Sequence, residues 1–435
     1  MVDVAEVKIW GEFVGAVRWD AERQLASFGY DRKFLQKGWD LSPVKMPVSN
    51  GLRIFSFPEL IAFNNEENTF KGLPGLLSDS LPDKYGNQLI NIWLAQNGRS
   101  ENSMNPVEQL CFIGSRGMGA LEFEPAQLMF GNNNFNIEIN SLVDIAKNIL
   151  SKRENFEINL DIDKQTALNE ILKVGTSAGG ARPKAVIAYN PHTGKIKSGQ
   201  VDAPDGFEHW LLKLDGVSNA QFGETYGYGR VEYAYYLMAV DCGINMMPSM
   251  LLEENERAHF MTKRFDREGG SIKHHIQTFC GIQHYDYNNV TGYSYEQLFR
   301  TMRLLRLTYP EAEQMFRRMV FNVLASNNDD HTKNFSFLMK KDDKWQLAPA
   351  YDLCYSYDPQ SIWVSQHALS INGKRKNISR EDLLTIAVAN SIRKPNQIIN
   401  EIKDVVCNWP DYAKKAEVDS RLKRLITGSL HCFKI

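Results

Sequence analysis

No stretch of the 435-residue chain is apolar for long enough to cross a bilayer as a helix, which takes about 20 such residues. The opening Met1-Val2-Asp3 has no basic segment leading into an apolar core, so no secretory signal is expected. Cysteine is sparse. The six, Cys111, Cys242, Cys280, Cys354, Cys407 and Cys432, form neither a Cys-x-x-Cys pair nor a dense framework. Buried free thiols in a reducing compartment are therefore expected, with a cytoplasmic location and no membrane partner. Charge of one sign is missing too. A formal net charge of -2 gives no overall field for nucleic acid and leaves only local basic patches. Repeats and low-complexity tails are also absent. What remains is ordinary globular composition, 43% hydrophobic and 23% charged, in a chain longer than one usual domain. At least two packed units follow.

The beginning reads as β-rich. Val7 to Trp10 and Phe13 to Val17 are strand candidates around a glycine-bearing turn, and Lys84 to Leu94 is a helix candidate. The turn-rich Ile113 to Leu121 precedes an Asn-rich stretch near Asn132 to Asn140, the best first boundary. A new organisation begins near Leu172. Lys184 to Tyr189 reads as a strand, Asn190-Pro191-His192-Thr193-Gly194 as a connection, His209 to Leu214 as another strand and Val231 to Val240 as a helix. Beyond Asp266 the pattern turns helical, above all from Glu311 to Ser326. A small mixed lobe followed by a larger helical one is predicted.

The strongest local signal is Asn327-Asn328-Asp329-Asp330-His331-Thr332-Lys333-Asn334. Met315, Phe316, Met319, Val320, Val323 and Leu324 give a buried helical face just before it. Phe335, Phe337 and Met339 recur at strand spacing, Lys340 to Asp343 supplies a turn, and Trp345 to Leu347 returns towards Asp352. A helix, polar loop, hairpin and aspartate in this order can bring two carboxylates and an amide around ATP. Asp329 would accept or orient a substrate hydroxyl proton, while Asn334 and Asp352 would hold Mg2+. The spacing Asp329-x-x-x-x-Asn334 matches that of protein-kinase catalytic loops, although His-Arg before the aspartate and Phe-Gly after Asp352 are missing. Two other readings stay open here. Asp330 and His331 could form a structural polar cap. Alternatively Asp329, Asp330, His331 and Asp352 could ligate the metal of a phosphoesterase.

Lys213 lies in an otherwise apolar strand candidate, where a lysine needs an anionic partner or an exit to water. ATP phosphates would supply that partner, with Glu232 on the next helix orienting the ammonium; an edge lysine facing water is the plainer alternative. Gly175 to Gly180 could wrap phosphate, but it lacks both the Gly-Lys-Ser/Thr ending and the Gly-x-Gly-x-x-Gly form. Arg182 and Lys184 add positive charge beside it.

Six blocks stand out in order, Gly114 to Leu121, Ser177 to Lys184, Leu212 to Leu214, Lys263 to Arg267, Asn328 to Phe337 and Pro349 to Leu353. Together they resemble the HipA family of bacterial serine/threonine kinases, often the toxin of a toxin–antitoxin pair. The resemblance implies an α+β, HipA-like protein-kinase fold with a mixed, β-rich N-terminal region and a mainly helical C-terminal lobe. It divides the chain into a β-rich subdomain (1–130), a kinase N-lobe (131–268) and a helical C-lobe (269–435). It implies Lys213 as the ATP-contacting lysine, Asp329 as the catalytic aspartate, and Asn334 and Asp352 as magnesium ligands. Lys263 and Phe265 fall where this family approaches the adenine. Ser177 matches a serine whose autophosphorylation turns activity off, with Thr176 as an alternative acceptor.

The resemblance also implies partners. They are a small helix-turn-helix antitoxin, DNA held mainly through it, and a protein substrate such as an aminoacyl-tRNA synthetase. Lys374-Arg375-Lys376 and Arg421-Leu422-Lys423-Arg424 read as solvated charged faces rather than independent DNA readers. The expected function is an ATP-dependent serine/threonine protein kinase acting as a growth-inhibiting toxin. A small-molecule phosphotransferase and a catalytically weak, antitoxin- and DNA-associated regulator are the alternatives.

Overall fold

The computed structural model describes residues 2–61, 69–126, 137–151, 175, 182–199, 202–217 and 226–431. Ser177 and Thr176, and with them most of the Gly175 to Gly180 stretch, lie outside the described residues, as does Cys432.

Four antiparallel strands build the N-terminal sheet, β1 (Val4–Ile9), β2 (Glu12–Asp20), β3 (Leu25–Tyr30) and β4 (Leu121–Glu124), in the order β3-β2-β1-β4. The turn from β1 to β2 places Trp10 and Gly11 at φ 52° and 79°, the conformation a tight hairpin demands. Strand alternation sends Ala5, Val7 and Ile9 into the core, where they meet Val107 and Leu110 of the helix Pro106–Ile113. That helix ends at Ile113, where the expected turn-rich stretch begins.

A second antiparallel sheet holds β5 (Lys184–Tyr189), β6 (Ile196–Ser198), β7 (Glu208–Lys213), β8 (Ser249–Glu254) and β9 (Arg257–Lys263), in the order β6-β5-β7-β9-β8. Its core shares Ala185, Ile187 and Leu212 with Tyr85, Leu89 and Ile92 of the helix Lys84–Gln96 and with Leu142 and Val143 of the helix Ile139–Ser151. Leu212 belongs to this layer, so the period of two turns Lys213 to the opposite face. The helix Tyr228–Asp241 lies there. It comes so close to β9 that a Cβ at Gly229 would stand 1.9 Å from the Ala258 carbonyl oxygen.

The largest core belongs to the C-terminal helices, including Tyr295–Leu304, Tyr309–Leu324, Pro395–Cys407 and Trp409–Lys415. The expected hairpin forms from Ser336–Met339 and Trp345–Leu347, but His275–Thr278 adds a third strand beside Ser336–Met339. All residues of that middle strand are buried, because both its edges and both its faces are covered.

Two of the resemblance blocks turn out to be halves of one latch. Asp266, fully buried, accepts from Arg264 (Nε 2.9 Å, Nη2 2.6 Å), from Arg267 Nη1 at 2.6 Å and from the Gly119 backbone N–H at 2.8 Å. Arg267 donates in turn to the carbonyls of Gly119 (2.8 Å) and Gly117 (2.9 Å). Desolvation opposes the charge on Asp266, but the two guanidiniums outweigh it and hold the carboxyl well below its usual range. The latch ties β4 to the end of β9. Four described cysteines, Cys111, Cys242, Cys280 and Cys354, are buried free thiols, and Cys407 is half-buried. Among the described residues no helix is long and apolar enough to cross a membrane.

Candidate active site

At the end of β7, Lys213 Nζ lies 2.5 Å from Glu232 Oε1 on the helix Tyr228–Asp241 and also donates to Asp352 Oδ1. The tight seat of Gly229 fixes this helix, and Glu232 sits one turn further on, facing the strand. Lys213 is therefore not an edge lysine reaching for water. Desolvation alone would lower its pKa, yet Asp352 and Glu232 raise it and keep the ammonium charged. Glu232 is raised by desolvation, with Lys213 opposing, whereas Lys213 and Lys184 overcome desolvation at Asp352 and pull it well below its usual range. Asp352 itself adopts φ 57°, the left-handed region that a residue with a Cβ seldom occupies. Such strain is held only where the surroundings over-determine it.

The polar loop carries Asp329, whose side chain is 44% exposed, at its open side. Asn334 Nδ2 donates to the Asp329 backbone carbonyl at 2.7 Å, which closes the loop on itself and leaves the amide oxygen of Asn334 as its acceptor. Desolvation in the cleft raises the Asp329 carboxyl, His331 opposes the shift, and Asp352 and Asp330 add to it. His331 Nε2 stands 3.7 Å from Asp329 Oδ1, while its Nδ1 accepts from the Lys333 backbone N–H at 3.2 Å. Tyr351, next to Asp352, donates to the Lys333 carbonyl at 2.7 Å and so ties the two halves of the site together.

Asp330 has a different task. Buried to 1% exposure, it accepts from Tyr295 Oη (2.9 Å), His367 Nδ1 (3.0 Å) and the Ala368 backbone N–H (2.7 Å). Its oxygens are spent on holding the loop. The structural-cap reading fits Asp330, and the phosphoesterase ligand set loses a member.

The remaining expected residues lie nearby with partners of their own. Lys263 Nζ pairs with Glu208 Oε1 at 2.6 Å, and Phe265 stacks on Tyr351 at 5.7 Å between ring centroids. Arg182 sits 4.9 Å over the Tyr228 ring. In the basic Lys374-Arg375-Lys376 patch Lys374 and Lys376 are exposed, as a solvated face requires, and Arg375 is half-buried. Arg375 donates to the carbonyls of Ala368 and Tyr293, and Lys374 pairs with Asp382 at 2.8 Å.

Sequence reasoning missed Asp83, which caps the helix Lys84–Gln96 by accepting from the Gly86 N–H at 2.7 Å. Burial pushes this carboxyl up to about 7, with the charges of Lys184 and Lys333 pulling the other way. An N-cap aspartate three residues before a glycine carries no local hint of that neighbourhood. Lys184 pairs in register with Lys213 across β5 and β7 and is itself buried, which lowers its pKa. Gly175, where the glycine-rich stretch begins, is seated on the same helix, since a Cβ there would meet Leu89 Cδ1 at 2.8 Å.

Among the described residues no group of three His, Cys, Asp or Glu is gathered for a metal. One ionised carboxylate, Asp352, and one amide oxygen, that of Asn334, nonetheless suit Mg2+, which keeps several waters and takes phosphate oxygens as its other ligands.

A family model described as the HipA-like C-terminal domain matches residues 176–409, and one described as the HipA N-terminal domain matches residues 5–124. A Haemophilus influenzae protein named "Putative kinase" is 28% identical over 191 residues, 41% of this chain and 52% of that protein. The chain thus spans about half the length of this curated relative. HipA of Shewanella oneidensis, solved with HipB and operator DNA, superposes with a TM-score of 0.68 at 18% identity, covering 99% of this chain and 97% of that one. The likeness shows a shared α+β fold.

Proposed function

The chain belongs to the HipA family, and on that footing we propose that it is an ATP-dependent kinase that phosphorylates serine or threonine hydroxyls of proteins. The observation that carries this reading is the convergence of Lys213, Glu232 and Asp352, from a strand, a helix and a strained loop, beside the Asp329–Asn334 loop.

In this reading Lys213, oriented by Glu232, binds the α- and β-phosphates of ATP. The lysine also donates to Asp352. Asp352 and the amide oxygen of Asn334 would hold Mg2+, which when bound neutralises phosphate charge as the phosphoryl group leaves. Asp329 orients the acceptor hydroxyl and takes its proton, so the acceptor oxygen bonds to the γ-phosphorus while the bond to the β–γ bridging oxygen breaks. Phe265 offers apolar surface at the adenine end, and Lys263 contributes position rather than a shared hydrogen bond. Asp330 is engaged in holding the loop, so the phosphoesterase alternative lacks one of its four ligands, which favours transfer over hydrolysis.

The same reading assigns Ser177, with Thr176 as alternative, as an autophosphorylation site. Its phosphate would compete for the cations that bind ATP. We further assign a growth-inhibiting role, control by a small helix-turn-helix antitoxin, and DNA contact mainly through it; the support is that the Shewanella structure contains HipB and operator DNA. An aminoacyl-tRNA synthetase is the protein substrate class carried over from the family resemblance.

Labelling of a cell extract with Mg-ATP, comparing the wild type with Asp329→Asn, tests the assignment. Loss of protein labelling with ATP binding retained is expected. Equal labelling by both proteins removes Asp329 as the base. Phosphopeptide mapping of the wild type tests Ser177 and Thr176 separately.

A further inference from the structure

Three cations leave the sheet of β5 to β9 on one face. Lys184 pairs in register with Lys213, so both side chains point to the side where the helix Tyr228–Asp241 lies. The Leu214 N–H donates to the Pro183 carbonyl at 3.0 Å and carries the pairing one residue beyond Lys184. Arg182, two residues before Lys184, emerges on the same side, and its guanidinium rests 4.9 Å over the ring of Tyr228.

That ring is firmly placed. Gly227, at φ 84°, donates its N–H to both Asp215 carboxyl oxygens at 3.1 Å, which ties the head of the helix to the chain just past Lys213. Gly229 seats the same turn against β9. Lys213 and Lys184 both act on Asp352, and Lys213 is held by Glu232 as well. Arg182 is engaged differently. A ring face orients a guanidinium but accepts none of its in-plane N–H groups, and among the described residues none accepts a hydrogen bond from it. Its charge also reaches the acceptor end of the site. Desolvation raises the carboxyls of Asp329 and Glu232, and Arg182 pulls against the rise at both.

We infer that Arg182 is a further catalytic residue, whose guanidinium contacts the γ-phosphoryl oxygens of ATP while the group passes to the acceptor at Asp329, and that the Tyr228 ring is its rest. The inference rests on the kinase reading and names a residue which that reading leaves without a role. The acceptor oxygen bonds to phosphorus as the bond to the β–γ bridging oxygen breaks. Asp329 takes the hydroxyl proton, and Arg182 neither gives nor takes one. What it supplies is N–H groups and a fixed positive charge for oxygens whose charge shifts during transfer. A planar fork meets two such oxygens at once, which an ammonium does not.

The test uses full-length protein treated with phosphatase and compares the wild type, Arg182→Ala and Arg182→Lys. Affinity is measured for ADP alone and for ADP with aluminium fluoride, a mimic of the phosphoryl group in flight, beside the rate of Mg-ATP labelling of extract proteins. Arg182→Ala is expected to bind ADP as the wild type does, which also reports a folded site. Its labelling rate at saturating ATP and its affinity for the fluoride complex are each expected to fall by about 10²–10³-fold. Arg182→Lys recovers part of that loss, and added guanidinium recovers part of it in Arg182→Ala. An unchanged labelling rate overturns the assignment and leaves the kinase reading standing. So does an affinity for ADP that falls as far as that for the fluoride complex, which makes Arg182 a support for nucleotide binding or folding. Loss confined to phosphate on Ser177 or Thr176, with extract labelling intact, ties Arg182 to the glycine-rich stretch alone and equally overturns it. Absence of transfer by the wild type to any extract protein removes the kinase reading, and the role of Arg182 falls with it.

Discussion

Glu232 Oε1 stands 2.5 Å from Lys213 Nζ, so a carboxyl buried on a helix and an ammonium on the facing strand are held as a pair. The pair is positioned by backbone contact at Gly229; Asp352 and Glu232 keep Lys213 charged, while burial raises the Glu232 carboxyl against the pull of Lys213.

Replacing Glu232 by glutamine keeps the shape and removes the charge. Lys213 then leans wholly on Asp352, away from the position in which it meets phosphate. A rise in KM for ATP of roughly tenfold to a hundredfold is expected, from the ~1.5–3 kcal/mol of a charged hydrogen bond. Gly229→Ala, which forces the helix off β9, shifts KM in the same direction. Steady-state kinetics over ATP concentration measures both.

On the proposed reading adjacent aspartates divide, Asp329 serving the chemistry and Asp330 the scaffold. Asp330→Asn leaves hydrogen bonds from Tyr295, His367 and Ala368 mismatched in a buried site, at about 1–3 kcal/mol. Asp329→Asn changes a part-exposed side chain and leaves stability within about 0.5 kcal/mol, while phosphoryl transfer drops by ~10²–10⁴. Chemical denaturation and transfer rates measured on both variants distinguish the two roles, since only Asp330→Asn lowers the unfolding midpoint.

With Asp329 as the proposed base, the acid limb of the pH–rate profile is expected to follow its carboxyl. Desolvation raises its pKa above the ordinary carboxylate value, so the base is protonated, and kcat/KM falls, at a pH higher than an exposed aspartate would give. Removing His331, which opposes the shift, moves the limb higher still. A pH series of kcat/KM for wild type and His331→Ala reads the displacement.

The Asp266 latch predicts a pH-dependent stability of the opposite sense. Its folded-state pKa is depressed, so its contribution is complete above the unfolded value near ~3.9 and is lost as pH falls towards the folded one. Asp266→Asn leaves two buried guanidiniums under-compensated and costs about 3–5 kcal/mol near neutrality. Urea midpoints of wild type and variant are expected to differ most at neutral pH and to converge as the pH drops below about 4.

The sequence by itself determined much of the local structure. Short runs flanking a glycine-bearing turn marked β1 and β2, an apolar run marked the strand of Lys213, helical periodicity marked Tyr309–Leu324, and the polar break after it announced the Asp329 loop and the hairpin beyond. These signals are short-range, because each residue reports its own exposure to the period of its element. Only the tertiary structure decided which groups meet. It joined Glu232 to Lys213, assigned Asp330 to the scaffold beside Asp329, and placed Asp83 among charges from distant segments. It also made Gly117 to Gly119 and Arg264 to Arg267 one latch, and set a third strand beside the hairpin. Those relations join residues far apart in the chain, and hydrogen bonds and buried charges between such residues leave no periodic trace in the sequence. Packing alone selects them.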